Sequence, residues 1–169
     1  LVLKVINADK VPRDGQEILN LVRRDSSIIL LSQYLDRPGL NALFDNVDCY
    51  ISLHRSEGFG LTLAESMFLG KPVIATGWSS NMDFMTPWNS LPVRYRLVTL
   101  DADYGPYKKG NTWADPDVDH AAECMVKVAT DQALYRQLAE AGRADIRKHL
   151  SPAAVGSAIR ARLKAIGQA

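Results

Sequence analysis

Residues 49–76 read CYISLHRSEGFGLTLAESMFLGKPVIAT, and this stretch decides the fold. CYISL (49–53) and PVIAT (72–76) are short apolar runs rich in branched and aromatic side chains, which reads as buried strand. Between them Leu61 to Leu69 carries helical spacing and closes on Leu69-Gly70-Lys71-Pro72. Gly70 suits the left-handed residue that ends a helix, and Pro72 cannot continue one. A strand, a helix and a second strand in so short a span predict a parallel pair joined by a crossover helix.

The same alternation extends toward the N-terminus. LVLKVI (1–6) and SIILL (27–31) are expected as strands, with helices over Asp14 to Arg24 and about Pro38 to Asn46. Asp14 followed by Glu17 reads as a capping box. The predicted class is α/β, a Rossmann-like doubly wound parallel sheet. Asp117 to Thr130, Asp131 to His149 and Ser151 to Ile166 then form a helical C-terminal tail, the last with Ser151 as N-cap and Pro152 at the first helical position. Gly77 to Asp115 has no clear period and is expected to be irregular, apart from a short helix at Met82 to Met85.

Composition narrows the partners. A chain of 169 residues suits one domain, expected over 1–169. No apolar run approaches the ~18–20 residues of a membrane helix. The 20 basic and 19 acidic side chains are interspersed, so there is no basic field to attract nucleic acid. Cys49 and Cys124 lie in apolar patterns, as expected of buried reduced thiols in a cytoplasmic protein, and their spacing suits no metal. The chain opens on LVLKVI without an initiator Met and is expected to be a fragment.

The loop HRSEGFG follows a strand's carboxyl end, where ligands bind in this class. Gly58 and Gly60 allow close approach, and the unpaired N–H groups of Gly60, Leu61 and Thr62 at the helix start favour a phosphate. Glu57 precedes this turn and Glu65 lies about one helical turn beyond it. Carboxylates accept from sugar hydroxyls, so one acid on each side of a bound diphosphate suits a nucleotide sugar. The plainer reading is a strand-to-helix connection with Phe59 packed inward and Glu65 solvated. Dinucleotide binding is disfavoured, because Leu63 stands where the fingerprint needs a third small residue.

EGFGLTLAE, with its two glutamates separated by seven residues, resembles the motif of the retaining GT-B glycosyltransferases of family 4, also called group 1. SMFLGKPVIAT is similar to that family's next segment, and GWSSNMDFM to a turn found in some bacterial members; Ser66 and Ser80 depart from the usual alanine and glycine. The similarity covers residues 28 to 85 well.

The resemblance implies an enzyme of two Rossmann-like domains, of which this chain matches the donor-binding half, with an N-terminal acceptor domain elsewhere. It assigns Glu57 to hydroxyls of the transferred hexose and the catalytic role, Gly58, Phe59, Gly60, Leu61 and Thr62 to the donor sugar and diphosphate, and Glu65 to the ribose. His54, Ser80 and Asn81 are further candidate donor contacts. The family is usually metal-independent, so neither metal nor cofactor is expected beyond the nucleotide-sugar substrate.

The family's Arg and Lys pair for the diphosphate has no counterpart here, and LVLKVI aligns with the second strand of such a domain. The expectation is therefore a sheet lacking its first strand-helix unit, and an isolated fragment without activity. Lys4, Arg13 and Arg55 are weak substitutes. An exposed inter-domain face would favour a homodimer. The implied setting is glycan or glycoconjugate assembly in the cytoplasm or at the inner face of the membrane. The alternative is a non-catalytic nucleotide-binding or protein-interaction module of the same fold.

Other signals carry less. Asp101-Ala102-Asp103 has the D-x-D form of metal sites in the GT-A fold but lacks that context, and reads as a polar loop. Asp115, Asp117 and Asp119 lack the Gly and Glu of a calcium loop and read as acids at a helix start. His120 and His149 are expected to be structural. Trp78, Trp88 and Trp113 would form either a sugar platform or core and interface packing.

Overall fold

The computed structural model describes residues 1–6 and 12–167. These residues form two compact units, Leu1–Leu43 and Phe44–Ala169. The first holds β1 (Val2–Lys4), α1 (Pro12–Arg24) and β2 (Ile29–Leu31); α2 (Arg37–Asn46) follows. β1 and β2 pair in parallel, Leu3 opposite Leu30. Helix α1 starts at Pro12, so Asp14 lies within the first turn instead of capping it. Proline presets the first helical φ and needs no partner for a missing N–H, which moves the start forward. The capping position and the side chains of Arg13 and Asp14 lie outside the described residues. Asp36 accepts the N–H of Gly39 at 2.9 Å and so caps α2.

The second unit is built on a parallel sheet of β3 (Tyr50–Ser52), β4 (Val73–Thr76) and β5 (Leu91–Val93), in that order. β4 is central and buried throughout. Its successive side chains point to opposite faces, as strand geometry requires. Val73 and Ala75 pack with Leu63, Ala64 and Met67 of α3 (Leu61–Phe68) and with Ile146 of α5 (Gln132–His149). Ile74, with Val93 of β5, packs with Ala121, Cys124 and Val128 of α4 (Val118–Thr130). Helices thus cover both faces, the doubly wound arrangement expected from the alternation.

β1 and β3 belong to different sheets, and each pairs with one neighbour among the described residues.

The tail follows the expected boundaries. Asp117 caps α4 by accepting from His120 N at 2.9 Å, and Asp131 caps α5 by accepting from Ala133 N and Leu134 N. Ser151 caps α6 (Pro152–Ala165), with Pro152 in its first turn.

The stretch from Gly77 to Asp115 is more ordered than expected. It contains a 3-10 helix at Ser80–Asp83 in place of the expected Met82 to Met85, then β5, then an antiparallel ribbon of β6 (Tyr95–Thr99) and β7 (Thr112–Pro116). β5 contains Pro92, tolerated because β5 is the outer strand of its sheet. β6 is almost wholly exposed, so there is no buried face to impose a readable alternation.

Candidate functional site

The site begins where β3 gives way to the loop at residues 53–60 and α3 starts. Gly60 stands at the N-cap of α3 with φ 88°, a conformation that a side chain resists. A Cβ added there would lie 2.9 Å from Leu63 Cδ1 and 3.3 Å from Asn81 Cβ. Gly70 closes the helix with φ 75°, as its sequence context requires.

Glu57 is folded onto its own loop. Its Oε1 accepts from Gly58 N at 2.9 Å and from Gly60 N at 3.0 Å. The N–H of Gly60, expected to be unpaired and open to a phosphate, is thus held by a carboxylate. The cause is the positive field at the helix start, which draws the nearest anion. Leu61 and Thr62 follow in the first turn; Leu61 is exposed, and Thr62 Oγ1 accepts from Tyr50 Oη at 3.1 Å. Glu65 lies in the second turn of α3. Phe59 remains 39% exposed while its ring meets that of Phe84 at 5.3 Å, so it is only partly packed inward.

A second loop, after β4, lies against the first. His54 Nε2 contacts the carbonyl of Trp78 at 3.1 Å and its Nδ1 contacts Ser52 Oγ at 3.2 Å. A carbonyl can only accept, so Nε2 is the donor in this contact. His54 thereby joins the two loops, and both ring nitrogens are engaged within the protein. Ser80 opens the 3-10 helix. Asn81 is fully buried, its Nδ2 donating to Thr76 O at 3.0 Å. Thr76 Oγ1 and Asn81 Oδ1 are buried without a hydrogen-bond partner among the described residues.

Ser79 is the residue that sequence reasoning missed. Its hydroxyl donates to the carbonyl of Glu57. It is also the one non-glycine residue with positive φ among the described residues, at φ 83° and ψ −166°. That region is almost confined to glycine and costs about 1–3 kcal/mol. Serine gives no advance signal of such a conformation.

The cationic side chains near the loop are committed. Arg55 pairs with Asp115 at 3.1 Å and lies over the Trp113 ring at 5.1 Å. Asp115 also receives Arg96 at 2.9 Å, and Ala114 N donates to Arg55 O, which fastens the ribbon to the site loop. Trp113 contacts Tyr104 and Tyr107 as well, while Trp78 meets Tyr95 in a tilted ring contact, so both indoles serve packing. Trp88 is largely exposed. In the ribbon's loop Asp103 accepts from Lys108 Nζ and Lys109 N, and Asp101 from Tyr104 Oη. His120 Nδ1 accepts from Arg94 N, anchoring α4 to the end of β5.

Taken together, one helix start has one carboxylate folded in front of it and another a turn inside. Residues 25–145 match the profile of the glycosyl transferases group 1, a span that includes this whole arrangement. The chain belongs to that family. No curated protein sequence gives a significant match.

Solved structures share the fold of this glycosyl transferase domain. HepE from Anabaena, crystallised with UDP, is 18% identical with a TM-score of 0.67, over 98% of this chain and 41% of HepE. Sucrose-phosphate synthase from Thermosynechococcus elongatus is 19% identical with a TM-score of 0.58, over 90% of this chain and 35% of the synthase. TarM is 13% identical with a TM-score of 0.63, over 94% of this chain and 34% of TarM. The chain thus spans about two fifths of HepE or less of each neighbour's length. Among the described residues, no helix is long and apolar enough to cross a membrane.

Proposed function

We propose that this domain is the donor-binding half of a retaining GT-B glycosyltransferase of family 4, which moves a hexose from a nucleoside-diphosphate sugar to a glycan or glycoconjugate. The observation that carries this reading is the placement of Glu57 and Glu65 on either side of the α3 N-terminus, at the carboxyl end of β3. HepE, a neighbour in fold, has been crystallised with UDP and with UDP-glucose, which supports a nucleotide-sugar ligand.

In this reading Glu57 accepts from hydroxyls of the transferred hexose. Its Oε1 is already fixed by two N–H groups, and Oε2 takes no hydrogen bond among the described residues, so a hexose hydroxyl would meet an oriented acceptor. The backbone from Gly58 to Thr62 lies along the sugar and diphosphate, and Glu65 accepts from the ribose.

The chemistry then rests on positioning and on stabilising the leaving diphosphate. The acceptor attacks from the face the diphosphate leaves, a diphosphate oxygen takes its proton, and configuration is retained. No metal is assigned a role. The α3 dipole supplies part of the positive field, and because Arg55 is tied to Asp115 and Trp113, the remaining cations are assigned to other parts of the enzyme. The acceptor is assigned to a separate N-terminal domain, and the setting to the cytoplasm or inner membrane face.

Calorimetric titration of the full-length protein with UDP, GDP, ADP, their hexose conjugates and NAD tests the reading. Saturable binding of one diphosphate class, weakened by Glu65→Gln, is expected. Absence of binding to every diphosphate, or preference for NAD, would overturn it.

A further inference from the structure

We infer that Ser79 is a positioning residue for Glu57, and that its unfavourable backbone conformation exists to deliver one hydroxyl to the Glu57 carbonyl. The inference rests on the donor reading given above for its functional consequence, while its structural part stands on the loop itself.

Ser79 is fixed from both sides. The preceding residue, Trp78, donates its N–H to Thr76 O and accepts from His54 Nε2, which is itself held by Ser52. On the other side, Ser79 O accepts from Met82 N in the 3-10 helix, and buried Asn81 is bonded to Thr76 O. Such over-determination is what allows a residue to remain in a glycine-only region. Glycine would occupy φ 83° without penalty, so what serine adds there is its hydroxyl.

That hydroxyl reaches the Glu57 main chain. Glu57 is consequently held at two points: its carbonyl by Ser79, and its Oε1 by Gly58 N and Gly60 N. With both ends fixed, Oε2 has a defined direction before any ligand arrives. Preorganisation of this kind lowers the ordering cost of binding the group that meets the acid. Because Glu57 is assigned to the hexose, the benefit falls on the sugar and not on the nucleoside diphosphate.

The test compares the full-length wild type with Ser79→Gly, which relieves the backbone and removes the hydroxyl, and Ser79→Ala, which removes only the hydroxyl. Amide hydrogen exchange at Gly58 and Gly60 reports the loop without ligand. Melting temperature reports global stability. Dissociation constants are measured for UDP with UDP-glucose, GDP with GDP-mannose, and ADP with ADP-glucose.

Both variants are expected to exchange faster at Gly58 and Gly60, and Ser79→Gly to melt no lower than wild type. Affinity for the nucleotide hexose should fall by about tenfold, because the Glu57 carboxylate is no longer held in place before binding, with the bare diphosphate changed by less than about twofold. Unchanged exchange in Ser79→Gly, or an unchanged ratio of the two affinities, overturns the inference. If the wild type binds none of the three pairs, the donor reading fails. Exchange at Gly58 and Gly60 then still decides whether Ser79 holds the loop.

Discussion

The Glu57 carboxylate accepts the N–H of Gly60 at 3.0 Å, so the acid in front of α3 closes on the residue that starts the helix. The loop is shaped by its own catalytic candidate. Removing the carboxylate should therefore disturb the loop as well as the chemistry. Glu57→Ala is expected to release Gly58 and Gly60 and to weaken nucleotide-hexose binding by about ten- to a hundredfold, the range for a hydrogen bond to a charged group. Glu57→Gln keeps an acceptor oxygen and should retain more of the loop, as amide exchange would show. Equal loss of protection in both variants would contradict this.

Gly60→Ala should destabilise the fold by roughly 1–3 kcal/mol, because φ 88° is hostile to a side chain and the new Cβ would sit 2.9 Å from Leu63 Cδ1. Denaturant titration measures the loss. Stability equal to wild type would mean that the α3 start can shift at little cost.

Burial, with a smaller contribution from Asp48, pushes the Cys49 thiol from 9.0 up to about 12. A group whose folded pKa is raised stabilises fully below its unfolded value, and that contribution is lost as pH rises from 9 toward 12. Alkylation at pH 8 should be slower in the folded protein than in urea, since the thiolate is the reactive form. Equal rates would place Cys49 in water.

Asp117 has its carboxyl held below 3.8, chiefly by the His120 N–H and also by Arg94. A depressed folded pKa gives stability that is complete above the unfolded value and lost as pH falls through the folded one. Asp117→Asn keeps a capping oxygen without titrating. The wild type's advantage in melting temperature should shrink as pH drops below 3.8. An advantage independent of pH would show that the cap works without its charge.

Much of this was legible in the sequence because it depends on neighbours along the chain. The four strands from β1 to β4 announced themselves as short branched runs, and Ser151 stood as a cap before Pro152, while Asp117 and Asp131 marked the starts of their helices and proved to cap them. Gly70 and Pro72 marked the end of α3. Less legible were β5, which contains Pro92, and the β6–β7 ribbon, whose exposed residues carry no burial pattern. The start of α1 was misplaced because an acid two residues after Pro12 imitated a cap.

The α/β class and the position of the candidate-site loop between Glu57 and Glu65 were readable along the chain, since periodicity and glycine placement are local properties. How that loop is held follows from contacts far apart along the chain. Ser79, His54 and Arg55 acquire their roles from partners on other elements: Glu57 lies twenty-two positions from Ser79, Trp78 twenty-four from His54, and Asp115 comes from β7. Such contacts depend on which strands lie side by side, and no local spacing encodes a hydrogen bond between two loops.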